Sequence, residues 1–251
     1  MNITDNTILI TGGGSGIGRA LAEAFYKAGN QVIIAGRRQD ALDAVVAANP
    51  GMHAAVLDIE DGAAIAAFAR DLTARFPRLD AVIHNAGIMR PEQLVEGGLD
   101  TAEHTIATNL LGPIRLNDAL LPHFLAQPHA TIITVSSGLA FLPLAVTPTY
   151  SATKAAIHGY TMALRQQLKA TKVEVLELVP PYVQTGLMGE QQASDPRAMP
   201  LAAFIDEVMG LIAQGPVNGE ILVERVKPLR NAEASGDYHG FFAKFNEAMA
   251  H

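Results

Sequence analysis

Cysteine and tryptophan are both absent from the 251 residues. No disulfide, thiolate nucleophile or cysteine-held metal can form, and a reducing compartment is permitted. Charge is scarce too: Asp, Glu, Lys and Arg make up 17% of the chain, with a formal balance of −7. A nucleic-acid footprint needs a basic face, so this balance argues against one. No apolar run approaches the ~18 residues that would span a bilayer. The opening Met1-Asn2-Ile3-Thr4-Asp5 lacks the basic-then-apolar order of a signal peptide. His123 and His129 have no spacing partner that suggests a metal site, and none is expected. These absences leave a cytoplasmic globular protein. Hydrophobic residues at 49% point to some subunit burial, and a homodimer or homotetramer is expected.

Short β-branched runs alternate with longer Ala/Leu-rich segments along the whole chain. The pattern predicts strands at Thr7–Thr11, Gln31–Ala35, Ala54–Leu57, Ala81–His84, Thr131–Val135, Val173–Leu178 and Glu220–Val223. Helices are expected between them, the longest over Tyr150–Leu168, with one or two helical segments over Asp100–Leu125. Such alternation implies right-handed crossovers, hence an α/β, Rossmann-like doubly wound parallel sheet flanked by helices. No composition break divides residues 1–251, so one domain is expected. The stretch 186–200 reads as irregular, and its place after a strand's carboxyl end suggests a substrate lid.

Directly after the first strand comes Thr11-Gly12-Gly13-Gly14-Ser15-Gly16-Ile17-Gly18, running into a helix. Glycines here let a ligand approach the backbone, and the helix amino terminus offers N–H groups to a pyrophosphate. The second strand ends Ala35-Gly36-Arg37-Arg38. An acidic residue at that tip would bind ribose hydroxyls; here Gly36 stands in its place and two guanidinium groups follow. Arginine can bind a 2′-phosphate through paired hydrogen bonds, so NADP(H) is favoured over NAD(H). Asp58 has two roles open, accepting from an adenine amino group or capping the next helix.

Tyr150 and Lys154 are four residues apart on a predicted helix, one turn from each other on one face. A free phenol titrates near pH ~10, too high for efficient proton transfer at neutrality. An ammonium about 4 Å away, at an effective dielectric of ~20, contributes roughly 4 kcal/mol. The spacing therefore predicts a tyrosine that exchanges protons near neutral pH.

Together these residues resemble the short-chain dehydrogenase/reductase family, in its short single-domain branch. The match includes T-G-x-x-x-G-x-G at Thr11 to Gly18, His84-Asn85-Ala86-Gly87, Asn109, Ser136-Ser137, and Tyr150 with Lys154. The resemblance implies that Tyr150 is the general acid/base and that Ser137 hydrogen-bonds the substrate oxygen. It implies that Lys154 binds the nicotinamide ribose and lowers the tyrosine pKa, while Asn109 helps hold a proton-relay water. It assigns cofactor contacts to the glycine loop, to Asn85, Ala86 and Gly87, and to Pro180, Val183 and Thr185. Two departures stand out: His84 replaces the usual asparagine, and Pro180-Pro181 replaces Pro-Gly, stiffening the nicotinamide-side wall. The latter segment, with Glu224-Arg225-Val226-Lys227, resembles the DltE-like oxidoreductase subgroup.

Phe141, Leu144, Tyr182, Leu187 and Met188 flank the expected reaction centre, either as an apolar substrate pocket or as ordinary core. His158, one turn beyond Lys154, reads as a partly buried helix histidine. Tyr238, Phe241, Phe242, Phe245 and Met249 fall on one helical face, which either packs on its own fold or seals a subunit contact. The expected function is NADP(H)-dependent interconversion of a carbonyl (ketone or aldehyde) and an alcohol. Two rivals remain: a non-catalytic dinucleotide sensor, and an epimerase or dehydratase on the same scaffold.

Overall fold

The computed structural model describes residues 1–249. Seven strands form one fully parallel sheet: β1 (Thr7–Thr11), β2 (Gln31–Gly36), β3 (His53–Val56), β4 (Leu79–His84), β5 (Ala130–Val135), β6 (Val173–Val179) and β7 (Glu220–Leu222). Their order is β3-β2-β1-β4-β5-β6-β7. Every residue of β1 and of β5 is buried, as expected for parallel strands covered on both faces. The two-residue period of a strand divides the core. Ile8 and Ile10 pack with Phe25 and Phe204 on one face; Leu9 and Ile33 pack with Leu116 and Phe124 on the other.

Helices α1 (Gly16–Lys27), α2 (Gln39–Ala48) and α3 (Gly62–Arg75) carry the first crossovers. The span from Asp100 forms α4 (Asp100–Ile106), a π-helical stretch Ala107–Leu111, and α5 (Gly112–Ala126). Long α6 (Pro148–Leu168) lies between β5 and β6 in the chain. The sheet order turns back between β1 and β4, so the carboxyl ends of those strands diverge into a crevice, the usual ligand position in open α/β sheets.

The stretch 186–200 is less irregular than expected. It contains the short helix α7 (Glu190–Ser194), and Gln192 is buried inside it. Gln192 Nε2 donates to the Val183 carbonyl and to Thr185 Oγ1, while its Oε1 accepts from the Met188 amide. After it come α8 (Leu201–Gln214), α9 (Lys227–Arg230) and α10 (Tyr238–Met249). None of the described helices is long and apolar enough to cross a membrane.

Candidate active site

The crevice holds a cleft of about 560 Å³. Gly12, Ser15, Gly16 and Ile17 line it from the glycine turn, Asn85, Ala86 and Gly87 from the end of β4. Gly12 (φ 68°) and Gly16 (φ 54°) adopt left-handed backbone that a side chain would strain. Gly18 serves differently: a Cβ there would meet Asn85 Nδ2 at 2.3 Å and the Gly12 carbonyl at 2.4 Å. Gly14 faces Ala41 of α2 and does not line this cleft. Asn85 Nδ2 donates to the Thr11 carbonyl at 3.1 Å, locking the turn against β4.

Arg38 lines the same cleft. Arg37 lines an adjoining cavity of about 140 Å³ with Gly36, Leu57 and Ile59. Its guanidinium lies 3.7 Å from Glu60. Burial works against Glu60's charge, yet hydrogen bonds from Thr108 and His104 and the charges of His104 and Arg37 hold its carboxyl below the usual range. Asp58 does not cap α3. Asp61 does so, accepting from the Ala63 and Ala64 amides at 2.9 and 3.0 Å, while Asp58 accepts from the Glu60 amide. Asp58 is exposed between two residues of the smaller cavity.

At the far wall stand Ser137, Tyr150 and Lys154, all buried. Ser137 stands near the Tyr150 hydroxyl and accepts from the Leu139 amide. Ser136 lines the cleft alone, whereas Ser137 also lines the pocket beyond it, which separates the two serines. Lys154 Nζ donates 2.7 Å to the Val135 carbonyl and lies 5.4 Å from the Tyr150 ring centroid. The expected softening of the phenol is not what this geometry produces. Burial pushes the Tyr150 hydroxyl up to about 12, with the Ser137 hydrogen bond pulling the other way. Burial also pushes Lys154 down to about 8, against the pull of the Glu177 carboxylate. Desolvation is the first cause for both groups because both side chains are buried in the cleft wall.

Asn109 sits in the π-helical stretch, a local widening often found at functional sites. Its side chain is spent on structure: Oδ1 accepts from the Ile88 amide, and Nδ2 donates to the Ile88 carbonyl and to Thr153 Oγ1. His84 is buried beneath the cleft, its Nε2 on Asn117 Oδ1 at 2.7 Å. Burial drives its pKa down to about 4, against the pull of that hydrogen bond, so the ring is neutral.

Beyond Ser137 and Tyr150 opens a second, more apolar pocket of about 290 Å³. Leu144, Tyr182, Leu187 and Met188 line it as expected; Phe141 does not. Phe141 instead lies between the Arg230 guanidinium, 4.5 Å from its centroid, and the His158 ring at 4.7 Å. Pro180 and Pro181 line both cavities, and Val183 and Thr185 line the cleft.

The short chain dehydrogenase family model matches residues 6–196. The uncharacterized oxidoreductase DltE of Bacillus subtilis (strain 168) is 38% identical over 251 residues, covering 98% of each chain. The chain belongs to the short-chain dehydrogenase family. An uncharacterized oxidoreductase of Staphylococcus aureus (strain N315) is 29% identical over 84% of this chain and 93% of its own. Among solved structures, the closed form of serine dehydrogenase complexed with NADP+ superposes with a TM-score of 0.77 at 26% identity, covering 85% of this chain and 93% of that one. A short-chain dehydrogenase from Burkholderia cenocepacia J2315 in complex with NADP shares the fold with a TM-score of 0.83 at 23% identity, covering 97% and 98%.

Within this short-chain dehydrogenase, the stretch offered as a lid supplies Gln192, Asp195 and Arg197 to the pocket, while the placement of Phe245 and Met249 there was not expected. Gln192 lines both cavities, and Asp195 with Arg197 forms a paired polar edge where Tyr182 Oη donates to Asp195. Phe245 and Met249 of α10 supply the outer wall. Of the expected aromatic stripe, Phe245 and Met249 face this pocket, although no described residue of α10 is buried. Asn246 hangs that helix over the pocket: its Oδ1 accepts from the Ala145 amide and its Nδ2 donates to the Pro143 carbonyl. A lone asparagine after Phe245 offers no spacing signal that could have found it.

Proposed function

We propose that this chain is an NADP(H)-dependent oxidoreductase that interconverts a carbonyl and an alcohol, with Tyr150 moving the oxygen's proton. One observation carries the reading: Ser137 and Tyr150 together form the wall shared by the cleft and the apolar pocket. A carbonyl entering from the pocket places its oxygen at these two hydroxyls and its carbon toward the cleft.

The cleft suits a nicotinamide dinucleotide, because left-handed Gly12 and Gly16 clear the wall and the amino terminus of α1 faces phosphate. Gly12, Ser15, Gly16, Ile17, Asn85, Ala86, Gly87, Pro180, Val183 and Thr185 would hold it, and Lys154 the ribose. When bound, the nicotinamide supplies or takes up the hydride. Ser137 orients and polarises the carbonyl oxygen. Tyr150, protonated throughout the neutral range, donates its proton to that oxygen in reduction. Lys154 favours the phenolate only as negative charge develops, and help confined to the transition state is what raises a rate. Arg37 and Arg38 beside Gly36 support NADP(H), as does the NADP+ carried by the serine dehydrogenase structure.

Exposed Ile106, Leu111 and Met162 lie on the neighbouring helical segments α4, the π-helical stretch and α6, and support a homodimer or homotetramer. Light scattering after size exclusion tests that part. The principal test is consumption of NADPH and of NADH across ketones, aldehydes and sugars. Carbonyl-dependent loss of NADPH absorbance is expected. Substrate turnover without net absorbance change would replace this reading with an epimerase.

A further inference from the structure

The two cavities differ in charge. Arg38, Arg90 and Lys154 line the cleft, and among the described residues no carboxylate does. Such a wall suits a polyanionic cofactor. The pocket beyond carries one charge of each sign, Asp195 and Arg197, set among apolar groups such as Leu139, Leu144, Leu229 and Phe245. Neither of these charges lines the cleft.

Within the 186–200 stretch the two answer each other. Asp195 is buried; its Oδ1 accepts from the Arg197 amide at 2.8 Å and from Arg197 Nε at 3.2 Å. Its Oδ2 accepts from Arg197 Nε at 3.1 Å, from Nη2 at 2.9 Å and from Tyr182 Oη at 3.2 Å. Hydrogen bonds from Arg197 hold the Asp195 carboxyl below its usual range, so it is ionised at neutral pH. Arg197 Nη1 donates to the Ala248 carbonyl at 3.0 Å. The main chain of the turn is held as well: Gln184 donates to the Asp195 carbonyl and Arg225 to the Arg197 carbonyl. The guanidinium is thus committed to a carboxylate from its own loop.

An arginine on the wall of an apolar pocket is the group that would ordinarily recruit a carboxylate or phosphate. Here an anionic guest gives up water for apolar walls and meets the Asp195 charge. It must then leave its own charge unmatched or displace Asp195 and strand that one. An uncharged guest meets neither cost. We infer that the substrate is an uncharged, predominantly apolar carbonyl compound, and that Asp195 is a specificity-determining residue that bars anionic ones by occupying Arg197. This rests on the carbonyl chemistry proposed for the same site. Selection of this kind works by repelling the wrong guest as much as by fitting the right one.

Benzylacetone bearing a para-carboxamide or a para-carboxylate supplies two ketones of similar shape that differ in charge at neutral pH. Binding by isothermal titration, and kcat/KM by NADPH oxidation, are measured with both for wild type, Asp195→Asn and Arg197→Gln. Wild type should favour the carboxamide by about tenfold or more in each readout. Asp195→Asn, which removes the competing carboxylate, should swing the ratio toward the carboxylate probe by about tenfold or more. Arg197→Gln, at a half-exposed side chain, keeps Asp195 and removes the attracting cation, so the carboxamide preference should persist or grow. The proposal is overturned by a wild type that does not bind the carboxamide or takes the carboxylate equally well. An unchanged ratio in folded Asp195→Asn overturns it too. If that variant does not fold, a swing toward the carboxylate in Arg197→Gln does so instead. Preferential binding of the carboxamide without NADPH oxidation by any carbonyl would sink the oxidoreductase reading and leave the charge selection standing.

Discussion

The two cavities that meet at Tyr150 are built from different materials. One wall of the dinucleotide cleft is the glycine turn with Asn85 to Gly87 packed against it. The pocket beyond is walled by side chains gathered from distant segments, including Leu144, Tyr182, Met188 and Phe245. A backbone wall imposes strict demands on residue type, because φ near +60° strains most side chains and so close an approach leaves no room for a Cβ. A side-chain wall can be refilled with other apolar groups of similar volume. The first therefore fixes a chemistry, and the second tunes what that chemistry acts on.

The sharpest way to probe the boundary between them is Tyr150→Phe. Loss of the proton donor should lower kcat by roughly 10³-fold, while NADPH affinity, read by fluorescence titration, stays nearly constant. Comparable loss of both would make the tyrosine part of the cleft only. Next in size is the support beneath the backbone wall. Neutral His84 titrates near 4 in the fold against an ordinary value of 6.5. The unfolded chain takes up that proton first, so stability present above pH 6.5 is lost as pH falls toward 4, by about 3 kcal/mol. His84→Asn should flatten this part of the acid limb in urea melts, and an unchanged limb would remove His84 as its cause.

Smaller effects separate the cleft from the pocket further. Arg37→Ala should weaken NADPH binding by about 10- to 100-fold, the worth of a charge-assisted contact, and NADH binding far less. Equal losses would move the phosphate site away from this residue. Phe245→Ala should change KM for bulky carbonyls by up to about tenfold while leaving NADPH affinity untouched. If cofactor affinity falls with it, the two cavities are not independent.

The same contrast explains what the sequence disclosed. Strand positions were legible because parallel strands buried on both faces read as continuous β-branched runs, as Thr7–Thr11 does. The glycine turn and the Tyr150–Lys154 pair could be read from local spacing, whereas Ser137 was named through the family resemblance. Phe141 was assigned to the pocket from proximity in sequence, yet a cation from α9 and a histidine from α6 hold it elsewhere. The protonation of Tyr150 was misjudged because helix spacing reveals the neighbouring ammonium but not the desolvation that outweighs it. Asn246 escaped notice since its partners, at Pro143 and Ala145, come from a distant segment. Long-range polar ties leave no period.

Helix α10 contributes nothing to the buried core, yet Asn246 stitches it to the 143–145 turn and Arg197 donates to the Ala248 carbonyl. A partition fastened by a few polar stitches can lift while the sheet stays whole. Molecular traffic through the doorway is thereby uncoupled from unfolding, and drift in this tail can redraw the guest list at little thermodynamic expense.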